Sequence, residues 1–181
     1  IKSVAGILNG TTNYILSKMQ LENVNFASSL KEAQDKGYAE QDPTADVGGE
    51  DVLNKLIILT FLSFGTIVSK EQSIHISGIE RIENVDFKYS KLLNSNIKMI
   101  GYANKNDDKI SLYVSPVIVD NKNPISKIMG ATNMVQINSN NCSSSSFVGE
   151  GAGRMPTANS MVSDLLNLIN NNNLAEFKIN T

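Results

Sequence analysis

The stretch Ile97-Lys98-Met99-Ile100-Gly101-Tyr102-Ala103, followed after Asn104-Lys105-Asn106-Asp107-Asp108 by Ile110 to Val119, reads as two strands joined by a hairpin-like polar turn. Downstream, Met134 to Asn138 and Ser144 to Val148 read as a second pair around the polar tip Ser139-Asn140-Asn141-Cys142-Ser143. Upstream, the apolar, partly β-branched run Val4 to Leu8 ends at Asn9-Gly10, a turn signal, with Thr11 or Thr12 available to cap a helix. Helical spacing then takes over. Tyr14, Ile15 and Met19 give a first helix its stripe, and Phe26, Leu30 and Ala33 a second, which Gly37 closes. The segment Tyr38 to Gly49 reads as a loop, because Asp42-Pro43 biases the chain away from helix. From Glu50 to Phe64 the residues Val52, Leu53, Leu56, Ile57, Thr60 and Phe64 share one broad face before Gly65. Pro124 to Met129 predicts a short helix. Pro156 to Ile169 predicts a last one, with Met161, Val162, Leu165, Leu166 and Ile169 on its apolar face, followed by a solvated run at Asn170 to Asn173 and a tail, Ala175 to Asn180. The expected architecture is a single α+β domain over residues 1–181, a mixed, mainly antiparallel sheet with helices packed over one face.

Composition narrows the function classes. Sixteen basic residues stand against eighteen acidic ones, a net charge of −2 without a Lys/Arg block, so nucleic acid is not an expected partner. The single cysteine, Cys142, has no partner for an internal disulfide and no neighbouring ligands for a metal, which suits a reducing compartment, and the cytoplasm is expected. The longest apolar stretch, Leu56 to Phe64, is too short to span a bilayer, so no membrane role is expected. The opening Ile1 to Leu8 reads as a strand already under way inside a longer protein rather than a signal peptide.

Chemistry concentrates between Gly37 and Lys55, where acids precede one lysine. From the residues alone two readings stand: a solvated acidic loop ahead of a helix, or a cradle in which Glu40 and Asp46 receive a cationic group through charge-assisted hydrogen bonds. Asp51 and Lys55, four apart on one helix face, form either a surface pair or an acid/base unit in which Asp51 orients the lysine or a relaying water. Asn9 to Asn13 is a capped helix start that also suits a polar or anionic ligand group. Gly149-Glu150-Gly151-Ala152-Gly153 is a glycine-rich approach to a helix, where a flat ligand lies close to backbone. It does not follow the full dinucleotide fingerprint. His75, between Ile74 and Ile76, reads as a packed or edge-strand histidine, and Cys142 as inert.

Together, Gly6-Ile7-Leu8-Asn9-Gly10-Thr11-Thr12-Asn13-Tyr14-Ile15-Leu16, Gly37-Tyr38-Ala39-Glu40 through Asp51 and Lys55, and Gly151-Ala152-Gly153-Arg154-Met155-Pro156-Thr157-Ala158 resemble homoserine dehydrogenase in order and spacing across nearly the whole chain. The resemblance implies reversible hydride transfer between a nicotinamide cofactor, NADP or NAD, and the aspartate 4-semialdehyde/homoserine pair, in the pathway to threonine, methionine and isoleucine. It implies that Lys55 is the catalytic lysine and Asp51 its partner. Glu40 would receive the substrate amino group, with Asp46, Gly10, Thr11 and Tyr38 as further substrate contacts, and Gly149, Gly151 and Gly153 would meet the nicotinamide end of the cofactor. No metal site is expected in this chain, and a homodimer is the family expectation.

Gln41 departs from the family pattern, which commonly has proline there. The resemblance also implies a nucleotide-binding domain upstream of Ile1, so the chain by itself is expected to be inactive. The rival from another class is a non-catalytic amino-acid-binding or dimerisation module that keeps the fold. A semialdehyde dehydrogenase is a second rival, but it calls for a cysteine nucleophile, and Cys142 lies in a polar tip without an obvious base.

Overall fold

The central strand of the sheet, β1 (Ser3–Ile7), is hydrogen-bonded on both sides, and the rest of the fold is laid out from it. In this computed structural model, which describes residues 1–69, 74–107 and 109–170, β1 pairs antiparallel with β3 (Ser95–Asn106) and with β5 (Thr132–Ser139). β3 pairs with β4 (Lys109–Asp120), and β5 with β6 (Ser143–Glu150), both antiparallel. The short edge strand β2 (His75–Ile76) runs parallel to β4, giving the order β2-β4-β3-β1-β5-β6. The expected mixed, mainly antiparallel sheet is therefore present, and His75 sits on its edge.

Strand boundaries run longer than the apolar pattern. Asn106 pairs with Lys109, and Asp107 has φ 54°, so the polar run expected as a five-residue turn is mostly strand and the reversal is tight. Polar residues carry these strand ends because a ladder needs only backbone amides and carbonyls.

Alternation along the strands makes two apolar layers. Val4, Ile97, Met99, Ala103 and Val114 point to one face, where they meet Ile15, Leu16 and Met19 of α1 (Gly10–Glu22), Ala33 of α2 (Phe26–Asp35) and Val52, Leu53 and Leu56 of α4 (Glu50–Phe64). Ile7, Ile100, Val119 and Met134 point the other way, onto Ile125 of a single 3-10 turn at Pro124–Lys127. α2 ends as expected around Gly37, whose φ of 76° lets Tyr38 N–H reach Ala33 O at 2.8 Å and Gly37 N–H reach Gln34 O at 3.0 Å.

Several expectations are corrected. The Tyr38 to Gly49 loop contains a short helix, α3 (Thr44–Val47), in which Pro43 is tolerated because it precedes the first turn. A further helix, α5 (Asn84–Leu92), was not expected. The cap of α1 is Asn9 rather than Thr11 or Thr12: its Oδ1 accepts from Thr12 N–H at 2.8 Å. The last helix, α6 (Arg154–Ile169), forms, but none of its residues is buried, so its apolar face is left open to solvent. The tail expected beyond Asn170 lies outside the described residues.

Candidate active site

Asn9 joins the acids. As the cap of α1 its side-chain oxygen is held by Thr12, which turns the amide nitrogen outward with two N–H groups to give. One goes to Asp46 Oδ1 at 2.6 Å, the other to Asp51 Oδ2 at 2.8 Å. The first carboxylate comes from α3 and the second from the first turn of α4, so a single amide fastens three helices at one point. Asp51 Oδ2 also accepts from Lys55 Nζ at 2.7 Å, one turn along α4. The result is a continuous chain, Asp46–Asn9–Asp51–Lys55.

Burial pushes the Asp46 carboxyl above its ordinary value, an effect opposed by the Asn9 hydrogen bond and reinforced by the negative charges of Asp51 and Glu40. Two negative groups so close favour a cation between them. The Lys55 side chain is 48% exposed, and the polar end of α4 that carries it faces the cleft rather than the core.

Around this chain lies a polar cleft of about 840 Å³, whose walls include Gly10, Thr11, Tyr38, Glu40, Asp46 and Lys55. Every expected substrate-side residue lines it, with Asp51. Thr11 spends its hydroxyl on Tyr38 O at 2.6 Å, which fastens the 38–40 segment to α1, and the Tyr38 ring leans on Tyr14 with centroids 4.9 Å apart. Gly10 is pressed against the 131 carbonyl: a Cβ there would come within 2.6 Å of Ala131 O. Gly151 likewise faces the Asn133 amide, where a Cβ would come within 1.9 Å of Nδ2.

Lys55 also borders a second, apolar cleft of about 500 Å³ formed by Leu8, Ile58, Met134, Phe147 and the Gly149 to Gly151 backbone. Gly149 and Gly151 thus line the apolar side, and Gly151 and Gly153 the polar side. Lys55 stands where the two meet. No group of three or more His, Cys, Asp or Glu residues suited to a metal ion occurs among the described residues.

The family model for homoserine dehydrogenase matches residues 1–166. The chain belongs to the homoserine dehydrogenase family. Curated homoserine dehydrogenases of Bacillus subtilis and Neisseria gonorrhoeae are 41% and 38% identical to it, over 94% and 93% of this chain but only 39% and 38% of their own lengths. The crystal structure of S. aureus homoserine dehydrogenase superposes with a TM-score of 0.88 at 36% identity, covering 93% of this chain and 43% of that one. A hyperthermophilic archaeal homoserine dehydrogenase mutant in complex with NADPH superposes at 0.75 and 27% identity, over 92% of this chain and 47% of that one. This homoserine dehydrogenase segment therefore spans about two fifths of its curated relatives.

Asn133 is not singled out by the sequence, and Asn9, though part of the helix start read as suited to a ligand group, is given no role there in joining the acids. Asn9 carried a usable signal, since Asn is a preferred cap and stands directly before the helix. Asn133 carried none, because only the fold brings β5 up to the glycine-rich loop.

Proposed function

We propose that this chain is the substrate-binding and catalytic part of a homoserine dehydrogenase, working within a longer polypeptide that interconverts L-homoserine and L-aspartate 4-semialdehyde. The observation that carries the reading is the position of Lys55, hydrogen-bonded to Asp51 at the seam between an acid-lined cleft and an apolar one.

The substrate is a small amino acid with a cationic amino group at one end and an alcohol or aldehyde at the other. Glu40 and Asp46 offer carboxylates to the ammonium, and Asn9 keeps Asp46 and Asp51 in place while doing so. Gly10 lets the Ala131 carbonyl close up against α1 at the edge of the cleft, and Tyr38 and Thr11 form the adjoining wall. The other end of the substrate then faces Lys55.

In the reducing direction Lys55 donates a proton to the aldehyde oxygen as hydride reaches the carbon, giving the alcohol. Asp51 orients the ammonium, and the exposure of Lys55 allows solvent to return the proton. In the oxidising direction the same pair takes the hydroxyl proton. The nicotinamide cofactor, NADP or NAD, supplies or removes the hydride. Its reactive end suits the apolar cleft, since a Cβ built at Gly149 meets nothing within 4 Å and the lining is Leu8, Ile58, Met134 and Phe147. Gly149 and Gly151 would hold it there, with Gly153 meeting it from the polar side.

The same reading carries threonine, methionine and isoleucine biosynthesis, a cytoplasmic location and a homodimer. No helix among the described residues is long and apolar enough to cross a membrane. The deciding assay is homoserine-dependent reduction of NADP and NAD by the longer protein that contains this segment. Turnover is expected with at least one of them; calorimetric homoserine binding without turnover would favour the non-catalytic module instead.

A further inference from the structure

Lys98, on β3, is fully buried, and no carboxylate among the described residues pairs with it. Its three N–H groups have three neutral acceptors: Asn13 Oδ1 at 3.3 Å, Met129 Sδ at 3.3 Å and the Ile128 carbonyl. Burial pushes the amine down to about 8. A buried, unpaired ammonium is a costly way to fill a core, and an apolar side chain of similar volume would serve packing better. The geometry around it gives a reason for its presence.

Asn13, itself fully buried on α1, donates from Nδ2 to Gly130 O at 2.9 Å, Thr132 O at 3.2 Å and Ile128 O at 3.3 Å, and Ser17 Oγ accepts from Gly130 N–H at 3.1 Å. Lys98 thus fixes both the Asn13 amide and the carbonyl at which the 128–132 segment begins. This segment leads straight into the site. Ala131 O abuts Gly10 on the substrate side, and the Asn133 amide abuts Gly151 on the glycine-rich side. Ala131, Thr132 and Asn133 all line the polar cleft.

We propose that Lys98 is a positioning residue for the dehydrogenase site, holding the 128–133 wall against Gly10 and Gly151 so that the cleft is set to the size of a small amino alcohol. Lys98 touches neither substrate nor Lys55, and acts through Asn13 and the Ile128 carbonyl. The inference rests on the dehydrogenase reading above and adds a determinant of substrate fit that lies outside the acid-lined loop.

The test uses the full-length enzyme with Lys98→Met, which keeps the volume and removes all three donors, and with Lys98→Gln, which keeps two. The expected result is a homoserine KM raised about tenfold or more in Lys98→Met and less in Lys98→Gln, with kcat within about threefold of the parent in both. Hydrogen exchange at the 130–133 amides should quicken in the same order. A KM within about twofold of the parent in whichever variant folds overturns the proposal. So does failure of both variants to fold, which would make Lys98 a requirement of the core alone. A parent enzyme that does not turn over homoserine defeats the dehydrogenase reading itself, and that outcome is seen before any variant is compared.

Discussion

A single amide decides how the acids of this cleft coexist. Asn9 gives one N–H to Asp46 and the other to Asp51 while its oxygen caps α1, so three roles rest on one side chain. Asn9→Ala is expected to cost about 1 kcal/mol through the lost cap, a fall in Tm of about 2–4 °C for a chain of this size, and to raise the homoserine KM as the two carboxylates repel each other. Differential scanning fluorimetry and steady-state kinetics check the two effects separately. Asp46 titrates above the ordinary carboxylate value of 3.8, so the fold holds a proton there that the unfolded chain has lost. Its contribution to stability therefore falls as pH rises from 3.8 through its folded value. Asp46→Asn is accordingly expected to leave thermal stability at neutral pH unchanged or higher while weakening homoserine binding, and a paired melt and calorimetric titration would show it.

Among the elements, α1 and α2 are tied by Glu32. It accepts from Lys18 at 2.8 Å, Lys36 at 2.8 Å and Tyr14 Oη at 2.7 Å, and these partners hold its carboxyl down at about 2. The sign here is opposite to Asp46. The contribution of Glu32 is fully present above pH 4.5 and is lost as pH falls toward 2. Glu32→Gln should therefore melt earlier than the parent at neutral pH and converge with it near pH 2, as thermal melts across that range would record. Much of this layout was legible in the sequence. Period-3.6 stripes found α1, α2 and α4, alternation found β3 to β6, and the acids and Lys55 could be placed ahead of and on one helix. What escaped did so for physical reasons. In α5 the apolar residues Val85, Phe87 and Tyr89 fall two apart, a spacing that imitates a strand, while its start is fixed by Glu83 N–H on Asp86 Oδ2 at 2.8 Å. α3 is a single turn that propensity disfavours beside Pro43, held by packing of Val47 under α4. Lys98 looked like any strand lysine, because burial beneath the 128–130 segment is a tertiary fact.

At the scale of the whole molecule, the two ends of the apolar inventory are unequal. The layer beneath α1 and α4 is closed, and Leu56→Ala within it is expected to cost about 2–5 kcal/mol. By contrast α6 and β6 present Phe147, Val148, Met161, Leu165 and Leu166 to solvent, all more than half exposed. Expressed by itself, this segment should therefore show rapid hydrogen exchange along α6 while β1 and β3 remain protected, and protection of α6 within the longer protein would show that its apolar face is covered there. The proposed chemistry depends on one relation above all, Lys55 delivered beside Asp51 at the meeting of the two clefts. The most direct measurement is the steady-state kinetics of the full-length enzyme carrying Lys55→Ala, with homoserine varied and saturating NADP or NAD, whichever supports turnover of the parent. The expected result is a kcat lowered by about 10²–10⁴-fold with a KM changed only a few-fold, since the lost role is proton transfer. An unchanged kcat would contradict it.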